Sequence, residues 1–168
     1  MRYSNIDYFE IVNGTDVGVS LYTQGCMRHC RGCFNQAAWD LDGGEQYTIE
    51  FRDKIVAACC RPGIKRFSIL GGEPLLERNK DELMALCSLI KEANPYIKIW
   101  VYTGALYEDI KEDWLEFLQY FVDVLVDGPF EIDKRDITLP FRGSSNQRVI
   151  DVRKSIFEGK VINYFREE

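Results

Sequence analysis

The sequence predicts a single α/β domain, spanning residues 1–168, built around a mostly parallel sheet. Three observations carry that reading. Apolar strand-like segments alternate with amphipathic helical ones along the chain, the order that pairs strands in parallel through crossovers. At 168 residues the chain is long enough for one core and too short for two ordinary domains. The residues least suited to a core fall where successive strands end, which is where open α/β sheets hold their ligands.

The elements follow in order. Val17 to Thr23 reads as a strand running into Gly25 and a cluster of cysteines. Thr48 is placed to cap a helix reaching about Cys60, with Glu50 in its first turn, Ile55, Val56 and Cys59 on one face, and Pro62-Gly63 closing it. Arg66 to Leu70 is a short buried strand ending at Gly71-Gly72. Asn79, with Glu82 three residues on, has the form of a capping box; the helix behind it buries Leu83, Leu86, Leu89 and Ile90 and stops before Pro95. Ile97 to Tyr102 is the third strand, followed by Thr103-Gly104. A helix from about Tyr107 to Gln119 sets Ile110, Trp114, Leu115 and Leu118 on one side. Phe121 to Val126 is the fourth strand, ending at Asp127-Gly128-Pro129, Arg148 to Val152 a fifth, and Lys160 to Phe165 a late sixth.

Composition narrows the function classes. Hydrophobic residues make up 46% and charged residues 29%, the balance of a globular protein. No apolar run approaches the roughly 20 residues that span a bilayer, and no apolar stretch follows the N-terminal Met-Arg-Tyr-Ser-Asn. Neither a membrane anchor nor a secretory signal is expected, and the compartment expected is the cytoplasm. A net charge of −6 lacks the basic footprint of a nucleic-acid binder. Six cysteines, three of them within eight residues, fit cytosolic metal or redox chemistry better than a secreted disulfide scaffold.

Residues 25 to 35 read Gly-Cys-Met-Arg-His-Cys-Arg-Gly-Cys-Phe-Asn. Three thiolates on so short a loop can wrap a compact soft centre, either zinc or an iron–sulfur cluster. A structural zinc site would be closed by a fourth ligand, His29 or a distant cysteine, whereas a reactive centre keeps one position open. His29 abuts Cys30, so the two side chains diverge, and the geometry favours a neighbouring role over ligation. Cys59, Cys60 and Cys87 lie in helical settings that suit core filling.

This C-x3-C-x2-C run resembles the hallmark of the radical S-adenosylmethionine (SAM) superfamily. That hallmark usually sets an aromatic residue before its last cysteine; here Gly32 stands there and Phe34 follows. Gly-Cys-Phe-Asn in this place looks like one branch, the activating proteins of anaerobic ribonucleoside-triphosphate reductase. Asn13-Gly14, Gly71-Gly72-Glu73-Pro74-Leu75, Ile99 to Gly104, Val124 to Phe130 and Phe141 to Gln147 agree with that branch in order and spacing. The loop after Asn13-Gly14 departs from it, reading Thr15-Asp16-Val17-Gly18 where the family often has a second glycine and a basic residue.

The resemblance implies a shortened partial (β/α) barrel of the radical SAM type. It implies a [4Fe-4S] cluster held by the catalytic Cys26, Cys30 and Cys33, with an open iron for SAM. Gly71, Gly72, Glu73 and Pro74 would bind the methionine end of SAM, although alone they would read as an ordinary Gly-Gly turn. Gly32, Cys33 and Phe34 would adjoin the adenine, a core position being the other reading of Phe34. Arg142 would hold a carboxylate or ribose or dock the partner, a solvated loop being its plain alternative. Thr103 and Asp127 lie where related activating enzymes place a monovalent cation. A side chain added at Gly72 is expected to weaken SAM binding and spare the metal site. The implied protein substrate is the large subunit of the reductase, which receives a glycyl radical, with a flavodoxin- or ferredoxin-type electron donor. The alternatives are a compact radical SAM enzyme acting on another glycyl-radical enzyme or a small metabolite, and a non-catalytic zinc-binding interaction module.

Overall fold

The computed structural model describes residues 1–110 and 112–165, the side chain of Asp113 excepted. Its strands are β1 (Arg2–Glu10), β2 (Gly18–Thr23), β3 (Glu45–Gln46), β4 (Arg66–Gly71), β5 (Lys98–Tyr102), β6 (Val124–Asp127) and β7 (Arg148–Asp151). The helices are α1 (Ile49–Cys59), α2 (Lys80–Ala93), α3 (Glu112–Phe121) and α4 (Val152–Glu158). The seven strands make one sheet in the order β3-β1-β2-β4-β5-β6-β7. Strands β2, β4, β5 and β6 run parallel at its centre. Its edges are antiparallel, β1 against β2, β3 against β1 and β7 against β6. The two outermost strands do not meet, so the sheet is open rather than a closed barrel.

Strand alternation divides the sheet into two faces. Val19 and Leu21, Phe67 and Ile69, Ile99 and Val101, Leu125 and Ile150 point to one side and are fully buried. Helices α1 to α4 cover that side, through Ile55, Ala58 and Cys59, Leu83, Leu86 and Ile90, Trp114, Phe117 and Leu118, and Val152. The other face carries Ser20 and Tyr22, Arg66, Ser68 and Leu70, Trp100 and Tyr102, and Val124 and Val126. Loops cover it: Trp100 packs edge-on to Phe141 and Tyr164, with Val124, Val126 and Val149 beside it.

Several expectations are corrected. Residues 2–10, assigned no structure, form β1, which joins the sheet beyond β2. The late strand at residues 160–165 is absent: only a single bridge, Ile150 to Asn163, forms there, and α4 occupies the chain before it. The fifth strand ends at Asp151, whose side chain accepts from Lys154 N–H and starts α4. Phe121 ends α3 instead of starting β6, and residues 107–109 form a separate 3-10 turn before α3. Within α3, Leu115 is 40% exposed and Phe117 takes the buried place. Thr48 does cap α1, accepting from Phe51 N–H. Asn79 does not form a capping box. Its amide donates to Glu73 O and Pro74 O, and Glu82 instead binds the N-terminal ammonium of Met1 at 2.7 Å.

The Asn13-Gly14 loop wraps a buried arginine. Arg66, fully buried, pairs with Glu10 at 2.7 Å and donates to Asn13 O and Thr15 O at 2.8 and 3.0 Å. Burial works to raise the Glu10 carboxyl, but hydrogen bonds from Ser20, Asn13 N–H, Arg66 and Val12 N–H prevail and leave it below the ordinary carboxylate range.

Candidate metal centre and cofactor cleft

At the end of β2 the chain leaves the sheet, and a 3-10 turn at Gln36–Trp39 pins its departure. Gly25 N–H donates to Ala38 O at 2.9 Å and Cys26 N–H to Trp39 O at 3.3 Å. The Gln24 amide bridges Ala37 O and Asp40 O, and Cys33 N–H donates to Cys30 O at 3.1 Å to close the loop. Cys26, Cys30 and Cys33 emerge from it as half-buried free thiols. All three line one cleft above the carboxyl ends of the parallel strands, with Leu70, Tyr102 and Val126 in its floor and an empty volume of about 760 Å³ counting the part open to solvent.

Glycines set how closely the walls approach. Gly71 has φ +109°, and a Cβ there would lie 2.6 Å from both Thr23 N and Thr23 O. A Cβ on Gly72 would lie 2.3 Å from Gly25 O, in the backbone that enters the cysteine loop. A side chain added at Gly72 would therefore have to shift the backbone that enters the cysteine loop.

Glu73 ties the cleft together. It is 5% exposed, and its carboxylate accepts from Thr103 Oγ1 (2.8 Å), Leu75 N–H (3.2 Å), Arg28 Nε (2.8 Å) and Gly104 N–H (3.0 Å). One side chain thus joins the cysteine loop to the ends of β4 and β5. Around the thiols the field is mixed. Burial pushes the Cys26 thiol up, against backbone N–H groups of Arg28 and His29 that donate to its sulfur.

Of the residues singled out in the sequence, Cys26, Cys30, Cys33, Phe34, Gly71, Gly72, Glu73 and Thr103 share the cleft. Gly32 and Arg142 line a neighbouring groove that shares Phe34 and Phe130 with it. Pro74 is buried under the turn, its carbonyl accepting from Asn79. Asp127 has the strand parity of Leu125 and faces the helices, accepting from Arg148 Nε and Tyr107 N–H at 3.0 and 2.8 Å. The Thr103 hydroxyl donates to Glu73 and accepts from Ala105 N–H. The cleft also contains Arg28, Asn35, Trp39, Tyr102, Phe130 and Gln147. Of these six, Trp39 alone lies outside the segments singled out in the sequence; the others fall in residues 25 to 35, Ile99 to Gly104, Val124 to Phe130 and Phe141 to Gln147.

The donor set fits an iron–sulfur cluster. Three half-buried thiols on one loop of one cleft are the soft donor set that an iron–sulfur cluster takes. Among the described residues, no fourth cysteine and no histidine lines the cleft. Cys59 and Cys87 are sealed in the helix-side core, where burial pushes both thiols up, and His29 lies against the Trp39 ring, centroids 4.6 Å apart.

Comparison with known proteins agrees. Residues 12–150 match the model of a family described as a 4Fe-4S single cluster domain. Three relatives bear the name anaerobic ribonucleoside-triphosphate reductase-activating protein. That of Salmonella typhi is 37% identical over 155 residues, covering 91% of this chain and 100% of the relative. The protein of Vibrio cholerae serotype O1 is 36% identical over 149 residues, 88% of this chain and 96% of its own. That of Enterobacteria phage T4 is 36% identical over 149 residues, 89% and 93% of the two chains.

Proposed function

The chain belongs to the anaerobic ribonucleoside-triphosphate reductase-activating proteins and to the 4Fe-4S single cluster domain family, and from that premise we propose how its residues divide the work. The protein is an activating enzyme that uses a [4Fe-4S] cluster and SAM to install a glycyl radical on anaerobic ribonucleoside-triphosphate reductase. The observation that carries this reading is the cleft itself: three half-buried thiols on one loop, with no fourth cysteine or histidine among the residues lining it.

When bound, the cluster would supply one-electron reduction of the SAM sulfonium, the chemistry that leads to hydrogen removal from glycine. Cys26, Cys30 and Cys33 hold the cluster as thiolates, and the N–H groups donated to the Cys26 sulfur stabilise its negative charge. Gly71 and Gly72 keep bare backbone at the wall, where the amino group of SAM finds carbonyl acceptors. Glu73, satisfied by its four donors, works as a strut that fixes Arg28 and Thr103 rather than as a ligand. Asp127 acts from behind the sheet, holding Arg148 and the chain at Tyr107. Phe34, 94% exposed, and Phe130 form walls that narrow the mouth once SAM and the protein substrate are in place.

We read the open sheet, with helices on one face and the cleft at its strand ends, as the shortened partial barrel of the radical SAM type. The electron donor is of the flavodoxin or ferredoxin class, which matches a single-electron requirement, and the compartment is the cytoplasm, in keeping with six free cysteines. Among the described residues no helix is long and apolar enough to cross a membrane.

The test incubates reconstituted protein anaerobically with SAM, a low-potential reductant and the reductase. A SAM-dependent glycyl-radical EPR signal on the reductase is the expected result. SAM cleavage with no radical on the reductase would transfer the assignment to another glycyl-radical enzyme or a small substrate.

A further inference from the structure

The target of the reaction is a main-chain glycine, and a main chain cannot enter a cleft one residue at a time. Extended chain advances only about 3.3 Å per residue, so the two or three residues on each side of the glycine need a bed continuous with the cleft. Beside the cleft lies a second groove under residues 132–143, and Phe34 and Phe130 line both. Gly32, next to the last thiol-bearing residue, lines this groove, as does Ile137, which is 83% exposed.

The charges in this groove run against the rest of the chain. The protein carries a net −6, yet Arg135 and Arg142 both line the groove, where the one acidic side chain, Asp136, is occupied by Thr138 N–H and Thr138 Oγ1 at 2.9 and 2.6 Å. Arg142 gives one terminal nitrogen to Gln147 O, while its buried Nε has no partner among the described residues. An exposed isoleucine and phenylalanine beside two guanidinium groups make a mixed surface that suits a peptide with an apolar side chain and a carboxylate.

We propose that this groove seats the extended segment of the reductase flanking its target glycine, with Ile137 and Phe34 contacting an apolar side chain and Arg135 and Arg142 meeting a carboxylate. Arg142 is thereby a docking residue for the protein substrate rather than a ligand of SAM. The inference rests on the activating function proposed above and adds the place where the substrate lies.

The experiment uses the full-length reconstituted protein and the intact reductase. Ile137→Asp and Arg135→Glu change exposed side chains, and Phe157→Asp, on α4 at a residue 89% exposed, serves as a distant control. Binding to the reductase is measured by biolayer interferometry, and SAM-induced change in the cluster EPR signal is recorded without the reductase. Ile137→Asp and Arg135→Glu should each weaken reductase binding by about tenfold, the size of one lost interface anchor. The EPR response should stay as in the wild type, and Phe157→Asp should bind normally. Wild-type binding by both groove variants, or equal weakening by the control, overturns the inference while leaving the activating function intact. A wild-type protein showing neither a SAM response nor reductase binding removes the function and the inference together.

Discussion

The two faces of the sheet are built from the same strands and do different work. Toward the helices, eight strand residues from Val19 to Ile150 are apolar and fully buried. On the loop-covered face the same strands place Ser20, Tyr22, Arg66, Ser68 and Tyr102, among them a buried ion pair and side-chain hydrogen bonds, while Tyr102 Oη and Trp100 Nε1 are buried without a partner among the described residues. One face is closed by packing and carries stability. The other is closed by loops, through an apolar cluster around Trp100 and polar contacts around Arg66, and leaves its strand ends open, where the thiols stand. Alternation lets a short chain do both without a second domain.

That contrast can be broken most completely at the strand ends. Cys30→Ala should abolish the iron–sulfur absorbance and 5′-deoxyadenosine formation, while the melting temperature of the metal-free protein stays near wild type, because Cys30 contributes no buried core atom. A cooperative loss of fold would show that the loop is part of the core after all.

The helix face predicts the reverse. Phe67 is fully buried on β4, and Phe67→Ala should lower stability by about 3–5 kcal/mol in denaturant titration. Reconstituted at low temperature, the variant should still cleave SAM.

A smaller effect is expected under the loops. Glu10→Gln removes the counter-charge of Arg66, while the carbonyls of Glu10, Asn13, Thr15 and Asp16 still accept from it. The loss should be about 2 kcal/mol, below that of a bare buried pair. The same variant has a pH signature. The Glu10 carboxyl is held below its ordinary value of 4.5, so its contribution is present above that pH and disappears as pH falls through the lowered folded value. Wild-type stability should fall as pH drops below about 4.5, and Glu10→Gln should flatten that part of the curve. An unchanged acid limb would assign it to other carboxylates.

The smallest effect belongs to a single helix end. Thr48→Ala should cost about 1 kcal/mol by removing the cap on Phe51 N–H, with no change in SAM cleavage.

The same contrast decides what the sequence alone could reveal. Strands β2, β4, β5 and β6 and helices α1 and α2 were legible because apolar runs mark a helix-covered face, with a local cap at Thr48 for α1. β1 was not. Its core contacts, Tyr3, Ile6 and Tyr8, are thrown out of strict alternation by a bulge between Tyr3 and Asn5. Helix α4 is seven residues long and was hidden by its brevity. The box expected at Asn79 failed because Asn79 and Glu82 each found a better partner elsewhere in the chain.

In the cleft, the cysteines were legible because the loop that carries them is contiguous. The pairing of Arg28 was not, because it depends on Glu73, 45 residues along the chain. For Asp127 the place at a strand end is visible in the sequence, whereas its contacts with Arg148 and the chain at Tyr107 appear only in the fold.

The central claim is that the open strand ends hold a three-thiolate cluster able to engage SAM. Anaerobic reconstitution followed by EPR of the reduced protein, with and without SAM, tests it most directly. A [4Fe-4S]⁺ signal that shifts on adding SAM and decays as 5′-deoxyadenosine appears is the predicted result. A silent protein that holds one tightly bound zinc and ignores SAM would contradict it.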